Sequence, residues 1–384
     1  MGQKSMKKLR IGITCYPTIG GSGIVATELG AELARRGHEV HFISYDPPFR
    51  LDLKQKGIFF HQVGLNEYRL FKYPDYTLPL AVKMFEVSVR HRLDILHVHY
   101  AVPHATAALL ARKIAGKKAS ARPRVVTTLH GTDITLVGND PKLYPIVKYS
   151  IEQSCGVTAV SRDLRAITQK EFKLKKHIEV IYNFYTPRRP RMRRDTMRKK
   201  LGIRTDDFML IHLSNLRPVK RIPDLLRILA RLKSHPSIKL LLLAGAPFKE
   251  FLPLVQRLNV GKQLVMRENV RDIENYIPAA DAGIFTSEDE SFGMGMLETM
   301  SYGVPVLATR VGGVPEVARD GITGYLYRVG DLKGFADGVM RLARDRALKD
   351  RLGTQAAVRA RTWFSADAVV GEYERYYYRV LKNC

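Results

Sequence analysis

The chain has 384 residues, 45% hydrophobic and 26% charged, with a formal net charge of +26. That length favours two domains over one core. No segment reaches the roughly 18 consecutive apolar residues that a membrane-spanning helix needs, so IKLLLLAGA reads as a buried strand. In chain order, KLRIGITCYP predicts a strand, GIVATELGAELARRG a helix closed by Gly37, and HEVHFISYD the next strand. A helix is expected around Leu80 to Val89, then strands LDILHVHY and PRVVTTLHG with a helix through Ala105 to Ile114 between them. GVTAVS and IEVIYN continue the series. The second half restarts with FMLIHLSNL, a helix from about Ile222 to Leu232, and strands IKLLLLAG, LVMRE, AGIFTS, VPVLAT and GYLYRVG.

Strand and helix alternating in short units predicts α/β domains with parallel sheets covered on both faces. The two series divide near residues 184–205, giving an expected first domain over 1–185 and a second over 186–364. The last segment, ADAVVGEYERYYYRVL, predicts a helix over about 365–384 that packs back on the first domain, its Tyr rings buried and its hydroxyls satisfied. Ligands are expected at the carboxyl ends of the strands, in a cleft between the domains.

Sixty-three Lys and Arg against 37 Asp and Glu admit nucleic acid, anionic lipid or small anions as partners. The densest cluster, TPRRPRMRRDTMRKK, has no interleaved aromatics for base stacking, and its prolines predict a connection running into a helix. No nucleic-acid partner is expected. The amino-terminal MGQKSMKKLR has no apolar signal core, and Met6 stands where a myristoylation motif needs Ser or Thr. Met6 itself reads as an alternative start. Cys15, Cys155 and Cys384 have neither ligand spacing nor the pattern of a disulfide framework, which predicts a reducing, cytoplasmic setting.

Four stretches carry candidate chemistry. Gly20, Gly21, Ser22 and Gly23 follow the first strand and open a helix, where bare backbone N–H groups can approach an anion. The stretch fits neither GxGxxG nor the P-loop pattern, so dinucleotide and ATPase readings lose support. HVHYAVPHA and TTLHGTDIT place His97, His99, Tyr100, His104, Thr127, Thr128, His130 and Asp133 near two strand ends. Zinc is disfavoured there for want of HExxH or a Cys-His pair; His130 instead reads as a polar residue that hydrogen-bonds a substrate. Arg217, Lys220 and Arg221 sit at a helix entrance, where the dipole disfavours cations, so a bound diphosphate is the better account. In SEDESFGMGMLE, Glu288 and Asp289 fit ordinary helix-start acids. Glu298 interrupts an apolar run, however, so Glu290 and Glu298 are expected to bind sugar hydroxyls beside the Phe292 and Gly293 amides.

The Glu290-x7-Glu298 spacing and SYGVPVLATRVGGVPEVARDGITGYL resemble the retaining GT-B glycosyltransferases of family 4. CYPTIGGSGIVATELG, DILHVHYAVPHA, TTLHGTDIT, EQSCGVTAVS, YNF and SNLRPVKR are similar to the branch that glycosylates L-malate in bacillithiol synthesis, over about residues 8–378. The resemblance implies a GT-B fold of two doubly wound Rossmann-like domains facing a central cleft. It implies transfer of N-acetylglucosamine from UDP-N-acetylglucosamine to L-malate, with retention and with no metal or cofactor. By motif position, Glu298 would hold the ribose, Glu290 the donor sugar, and Lys220 and Arg217 the diphosphate. The amides of Gly21 to Gly23 would assist, with Asn215, Phe292 and Gly293 on the donor side. His130 would touch the transferring sugar, and Ser22, Tyr100 and Thr128 would surround malate.

Three departures accompany the resemblance. Asn215 replaces an Arg of the wider family, LLAGAPFKE lacks a second Gly and adds Phe248, and QLVMRENV is one residue short. The last two bear on nucleotide preference. Two rival readings stay open: a family 4 enzyme with a lipid headgroup as acceptor and peripheral membrane contact, and a silent GT-B protein holding an anionic polymer. A homo-oligomer is compatible with the sequence.

Overall fold

A computed structural model describes residues 7–17, 20–64, 76–116, 122–135, 137–138 and 140–384, and all structural statements below concern these. The alternative start at Met6 lies outside them. The chain forms two compact units, Met1–Tyr182 with Ala366–Cys384, and Asn183–Ser365.

The first unit is built on a seven-stranded parallel sheet. Its strands are β1 (Arg10–Thr14), β2 (Glu39–Ser44), β3 (Ile58–Gln62), β4 (Ile95–His99), β5 (Arg124–Leu129), β6 (Gly156–Ala159) and β7 (Glu179–Val180). Their order is β3-β2-β1-β4-β5-β6-β7. Near-continuous apolar runs such as RIGIT, buried on both faces, are what a parallel sheet covered by helices requires. β3, IFFHQ, was not anticipated. It is an edge strand in which Phe59 is exposed and His61 and Gln62 interrupt the apolar run.

The second unit has a six-stranded parallel sheet of β8 (Phe208–Ser214), β9 (Ile238–Ala244), β10 (Leu264–Glu268), β11 (Ala282–Phe285), β12 (Val306–Thr309) and β13 (Gly324–Tyr327). The order β10-β9-β8-β11-β12-β13 again reverses direction at the first strand. Leu240 and Leu242 pack with Leu226, Leu229 and Phe335 in its core. Two long helices over Leu332–Arg344 and Arg346–Trp363 complete this unit and were also not anticipated.

The helix Ala366–Asn383 belongs to the first unit, although the second lies between them in sequence. Glu374 accepts from Arg36 Nη1 at 3.0 Å and pairs with His38 Nε2 at 2.9 Å. Tyr376 donates to the Val157 carbonyl at 3.1 Å, over Gly156, where a Cβ would come within 2.7 Å of the Tyr376 hydroxyl. Fully buried Tyr377 meets His97 Nδ1 at 2.7 Å. Tyr377→Phe is therefore expected to cost about 1–3 kcal/mol in urea unfolding, because it strands a buried imidazole nitrogen.

One sequence expectation changes here. Cys155 and Cys384, 229 residues apart, pair as a disulfide with Cα atoms 5.7 Å apart, whereas no cysteine pairing was expected. So distant a pair leaves no spacing signature. The basic cluster at 186–200 is in part structural: Arg198 is buried and bonds Asp281 at 3.2 Å, and Arg194 meets the same carboxylate at 2.7 Å. Lys349 adds a third cation at 3.1 Å, and together with the Met209 amide these hold Asp281 below its ordinary pKa despite burial. Among the described residues, no helix is long and apolar enough to cross a membrane.

Candidate active site

In each unit the strand order reverses beside the first strand, between β1 and β4 and between β8 and β11. Side chains at the carboxyl ends of those strands therefore face a crevice, and the candidate residues gather at those ends.

In the first unit, the helix Gly21–Arg35 starts directly after β1 with Gly20 as N-cap, no capping side chain and no acid in its first turn. Its positive end is open to an anion. Ser22 Oγ lies 2.8 Å from the Tyr100 hydroxyl, so these two predicted residues meet. Tyr100 holds φ of 89°, a conformation costly for a non-glycine residue and found mainly where a site over-determines it. His130 follows β5, with its Nε2 2.8 Å from His99 Nδ1 and its ring 5.3 Å from Tyr100. Tyr16, which the sequence did not single out, joins them, its ring 5.6 Å from Tyr100 and 4.6 Å from His104. Asp133 ties the two strand ends together, accepting from the amides of Ala101, His130 and Gly131 at 3.0–3.2 Å.

Thr128 is turned inward. It is fully buried, and its hydroxyl bonds His97 Nε2 and Thr158 Oγ1 at 2.7 Å each. Thr128 was expected among the residues around the acceptor; its hydroxyl is taken up by the histidine layer, on the face that His130 also follows. There it orders a chain from Tyr377 through His97 to Thr158.

Burial holds this histidine layer neutral. It brings His97 and His130 down to about 3 and His104 to about 4, and His99 well below its ordinary value. His130 is thus a neutral ring near pH 7, and the pH–rate profile is expected to lack an inflection from it near 6.5. Stability carries the other consequence. These groups bind protons in the unfolded chain near pH 6.5 but in the folded one only near 3–4, so stability is full above 6.5 and lost as pH falls. Asp133 opposes them, since burial raises it to about 6 and its protonation favours the fold between about 6 and 4. Urea midpoints are expected to fall from pH 7 to 5, with each histidine contributing up to about 1.4 kcal/mol per pH unit.

In the second unit, Asn215, Arg217 and Lys220 follow β8, and Glu290 follows β11. Lys220 Nζ pairs with Glu290 Oε2, both side chains being mostly buried, with Ser287 Oγ 3.4 Å from the same oxygen. The Lys220 carbonyl accepts from Thr286 Oγ1 at 3.0 Å, which seats the loop against β11. His212, brought down to about 4 chiefly by burial, bonds Ser214 Oγ at 2.8 Å, and that hydroxyl accepts from the Leu216 amide at 3.3 Å. Asn215 Oδ1 is buried without a partner, an acceptor held ready beside the cations. Arg217 is exposed at the start of the turn Pro218–Lys220. Arg221 is committed elsewhere, to Asp224 and Glu288 at 2.6 and 2.9 Å, so Glu288 is a structural acid.

The helix Met294–Ser301 begins after Gly293, at φ of 93°, without a capping side chain or an acid in its first turn. Phe292 is buried edge-on against Phe364, so its ring belongs to the core. Glu298 lies within this helix and is buried. Gly312, unnoticed in the sequence, packs its backbone on Glu290, and the Gly313 amide donates to the Glu290 carbonyl at 2.9 Å. The two altered loops bond to each other. Phe248 points into the core, its amide bonds Glu268 Oε1 at 2.8 Å, and the Asn269 amide bonds the Ala244 carbonyl at 2.8 Å.

Residues 19–189 match the family described as Glycosyltransferase Family 4, and residues 193–359 that described as Glycosyl transferases group 1. The chain is 45% identical over 379 residues to N-acetyl-alpha-D-glucosaminyl L-malate synthase of Bacillus anthracis, covering 98% of each chain. Among solved structures it is similar to Anabaena HepE in complex with UDP and glucose, with a TM-score of 0.81, 19% identity and coverage of 96% and 99%. Sucrose-phosphate synthase of Thermosynechococcus elongatus is similar at a TM-score of 0.79 and 19% identity, with coverage of 98% and 100%. At such identities these two structures speak for the fold.

Proposed function

The chain is a glycosyltransferase of family 4, and we propose that it transfers N-acetylglucosamine from UDP-N-acetylglucosamine to the hydroxyl of L-malate. The observation that carries the donor half is the Lys220–Glu290 pair at the strand ends, between two turns rich in polar groups. The acceptor half is supported by the activity named for the 45% identical Bacillus anthracis relative.

The donor engages the second unit. Lys220 and Arg217 take the diphosphate, which displaces Glu290 from Lys220 and frees that carboxylate for the sugar hydroxyls. The Phe292 and Gly293 amides complete the sugar's contacts, Asn215 offers its unpaired oxygen, and Glu298 holds the ribose. In the first unit, the open helix start at Gly21, Ser22 and Gly23 carries a positive end suited to the anionic groups of donor and acceptor. Ser22 and Tyr100 hold malate, backed by Thr128, whose carbonyl accepts from the Tyr100 amide at 3.0 Å, and neutral His130 hydrogen-bonds the transferring sugar.

In the reaction the malate hydroxyl oxygen bonds to the anomeric carbon as the bond from that carbon to the β-phosphate oxygen breaks. The hydroxyl proton passes to a β-phosphate oxygen on the same face, so configuration is retained and no side chain need act as base. Fixed cations and helix starts stabilise the charge on the leaving UDP, a role for which family members need no metal. The product is the glycoside that opens bacillithiol synthesis; a nucleotide-sugar donor supports a cytoplasmic setting, against which the Cys155–Cys384 pairing stands.

Mass spectrometry of products formed from UDP-N-acetylglucosamine, with and without L-malate, tests this reading. A malate-dependent glycoside, absent with Glu290→Ala, is expected, with an α-anomeric proton by NMR. UDP binding without a malate product would overturn the acceptor assignment.

A further inference from the structure

At the edge of the first unit's sheet, three histidines that carry none of the roles assigned above converge. His41 comes from β2, His61 from β3, and His91 is the last residue of the helix Thr77–His91. One ring nitrogen from each lies within 4.8 Å of the others. The β2–β3 register explains two of them. His41 pairs with Phe59 and Ile43 with His61, so His41, Phe59 and His61 share one face. The helix ending at His91 brings the third ring to 4.4 Å from His41 and 5.1 Å from His61, centroid to centroid.

The ring of His41 is aimed. Its Nε2 is held by Glu39 Oε1 at 3.0 Å, which leaves Nδ1 facing His61 Nε2 at 2.9 Å. A carboxylate fixing the far nitrogen of an imidazole is the outer-shell arrangement that orients histidine ligands of metals. Phe59 stacks on the same ring, 4.9 Å away and 16° from parallel, and closes one side. His41 is fully buried whereas His61 and His91 are partly open, so a solute reaches the cluster from their side.

We propose that His41 Nδ1, His61 and His91 form a binding site for a first-row divalent cation, Zn2+ by ligand type, with Glu39 as the outer carboxylate. Three imidazoles with one position open to solvent suit Zn2+ better than the oxygen-seeking Mg2+ or Ca2+. A tetrahedral ion with Zn–N bonds of about 2.0–2.1 Å sets its ligand nitrogens roughly 3.4 Å apart. Side-chain rotations in His61 and His91 reach that spacing. The ion replaces the His41–His61 hydrogen bond, and a tautomer shift leaves each ring neutral with its proton on the outward nitrogen. Arg10, Lys83 and Arg90 act on these rings as nearby cations and oppose the ion; Glu39 and the helix's carboxyl end offset them. The ion would pin an edge strand to a helix end, a stabilising role separate from the glycosyl-transfer residues.

Titration of the tag-free full-length protein with Co2+ tests the site, because a tetrahedral three-nitrogen site gives intense visible bands. About one Co2+ per chain is expected, displaced by Zn2+, with Zn2+ also raising Tm. His61→Gln and His91→Gln, at partly open positions, should fold with unchanged metal-free Tm and weaken Co2+ binding at least 10–100-fold. UDP release should be unchanged in both. Visible bands equally strong in the variants, or no band and no Zn2+-dependent Tm shift in the parent protein, would overturn the assignment.

Discussion

Replacing Lys220 with Ala is expected to lower kcat about 10³-fold while weakening UDP binding only about tenfold. Negative charge grows on the diphosphate as the glycosidic bond breaks, so a cation held against it is worth more in the transition state than with bound substrate. A factor of 10³ corresponds to about 4 kcal/mol, at the upper end of what one preorganised donor supplies. The geometry favours the upper end: Lys220 is mostly buried, and its loop is tied to β11 through Thr286. The substitution also leaves Glu290 without its partner, and that effect must be separated from lost transition-state charge. The double variant Lys220→Ala with Glu290→Gln removes the stranded carboxylate. UDP affinity should recover in it, while its kcat should lie well below that of Glu290→Gln alone. Initial rates of UDP release, with Kd by calorimetry, decide the point; a single variant within tenfold of the parent kcat would remove Lys220 from the transition state.

Most of the strands were legible because buried parallel strands are written as apolar runs, from RIGIT in β1 to IKLLLLA in β9. β3 was not, since an edge strand carrying His61 and Gln62 has neither a continuous run nor a clean alternation. For the same reason the His41–His61–His91 cluster left no motif: three elements deliver it, and only their register unites them. At the candidate site, the charges of Lys220 and Glu290 stood out from their neighbours, whereas their commitments did not. Arg221 looked equivalent to Lys220 but is spent on Asp224 and Glu288. Phe248 looked like an intruder on the donor side but is core. Neighbouring strands supply the partners of Thr128, His97 and Thr158, and the last helix adds another, as Tyr377 reaches His97 from 280 residues away. Residue type announces chemistry, but packing determines which groups remain available for it.

Gly312→Ala is the second large effect, and it arises with no change of any charged group. Gly312 sits at φ of 48°, and an added Cβ would lie 2.3 Å from the Glu290 carbonyl oxygen and 3.1 Å from its carbon. Backbone cannot rotate away as a side-chain tip can, so the turn after β12 or the segment bearing Glu290 must move. A shift of about 1 Å at a reacting centre costs on the order of 10²-fold in rate, and kcat is expected to fall by at least that much. Gly321→Ala separates this clash from the cost of positive φ, since Gly321 has φ of 71° and open space where its Cβ would stand. That control should lose about 1 kcal/mol of stability and keep its turnover. Gly312→Ala should lose more stability and most turnover, while tryptophan fluorescence and far-UV circular dichroism remain native below Tm. If both variants lose turnover equally, strain rather than contact with Glu290 governs the turn. If neither does, the Glu290 backbone has more freedom than its bond to the Gly313 amide implies.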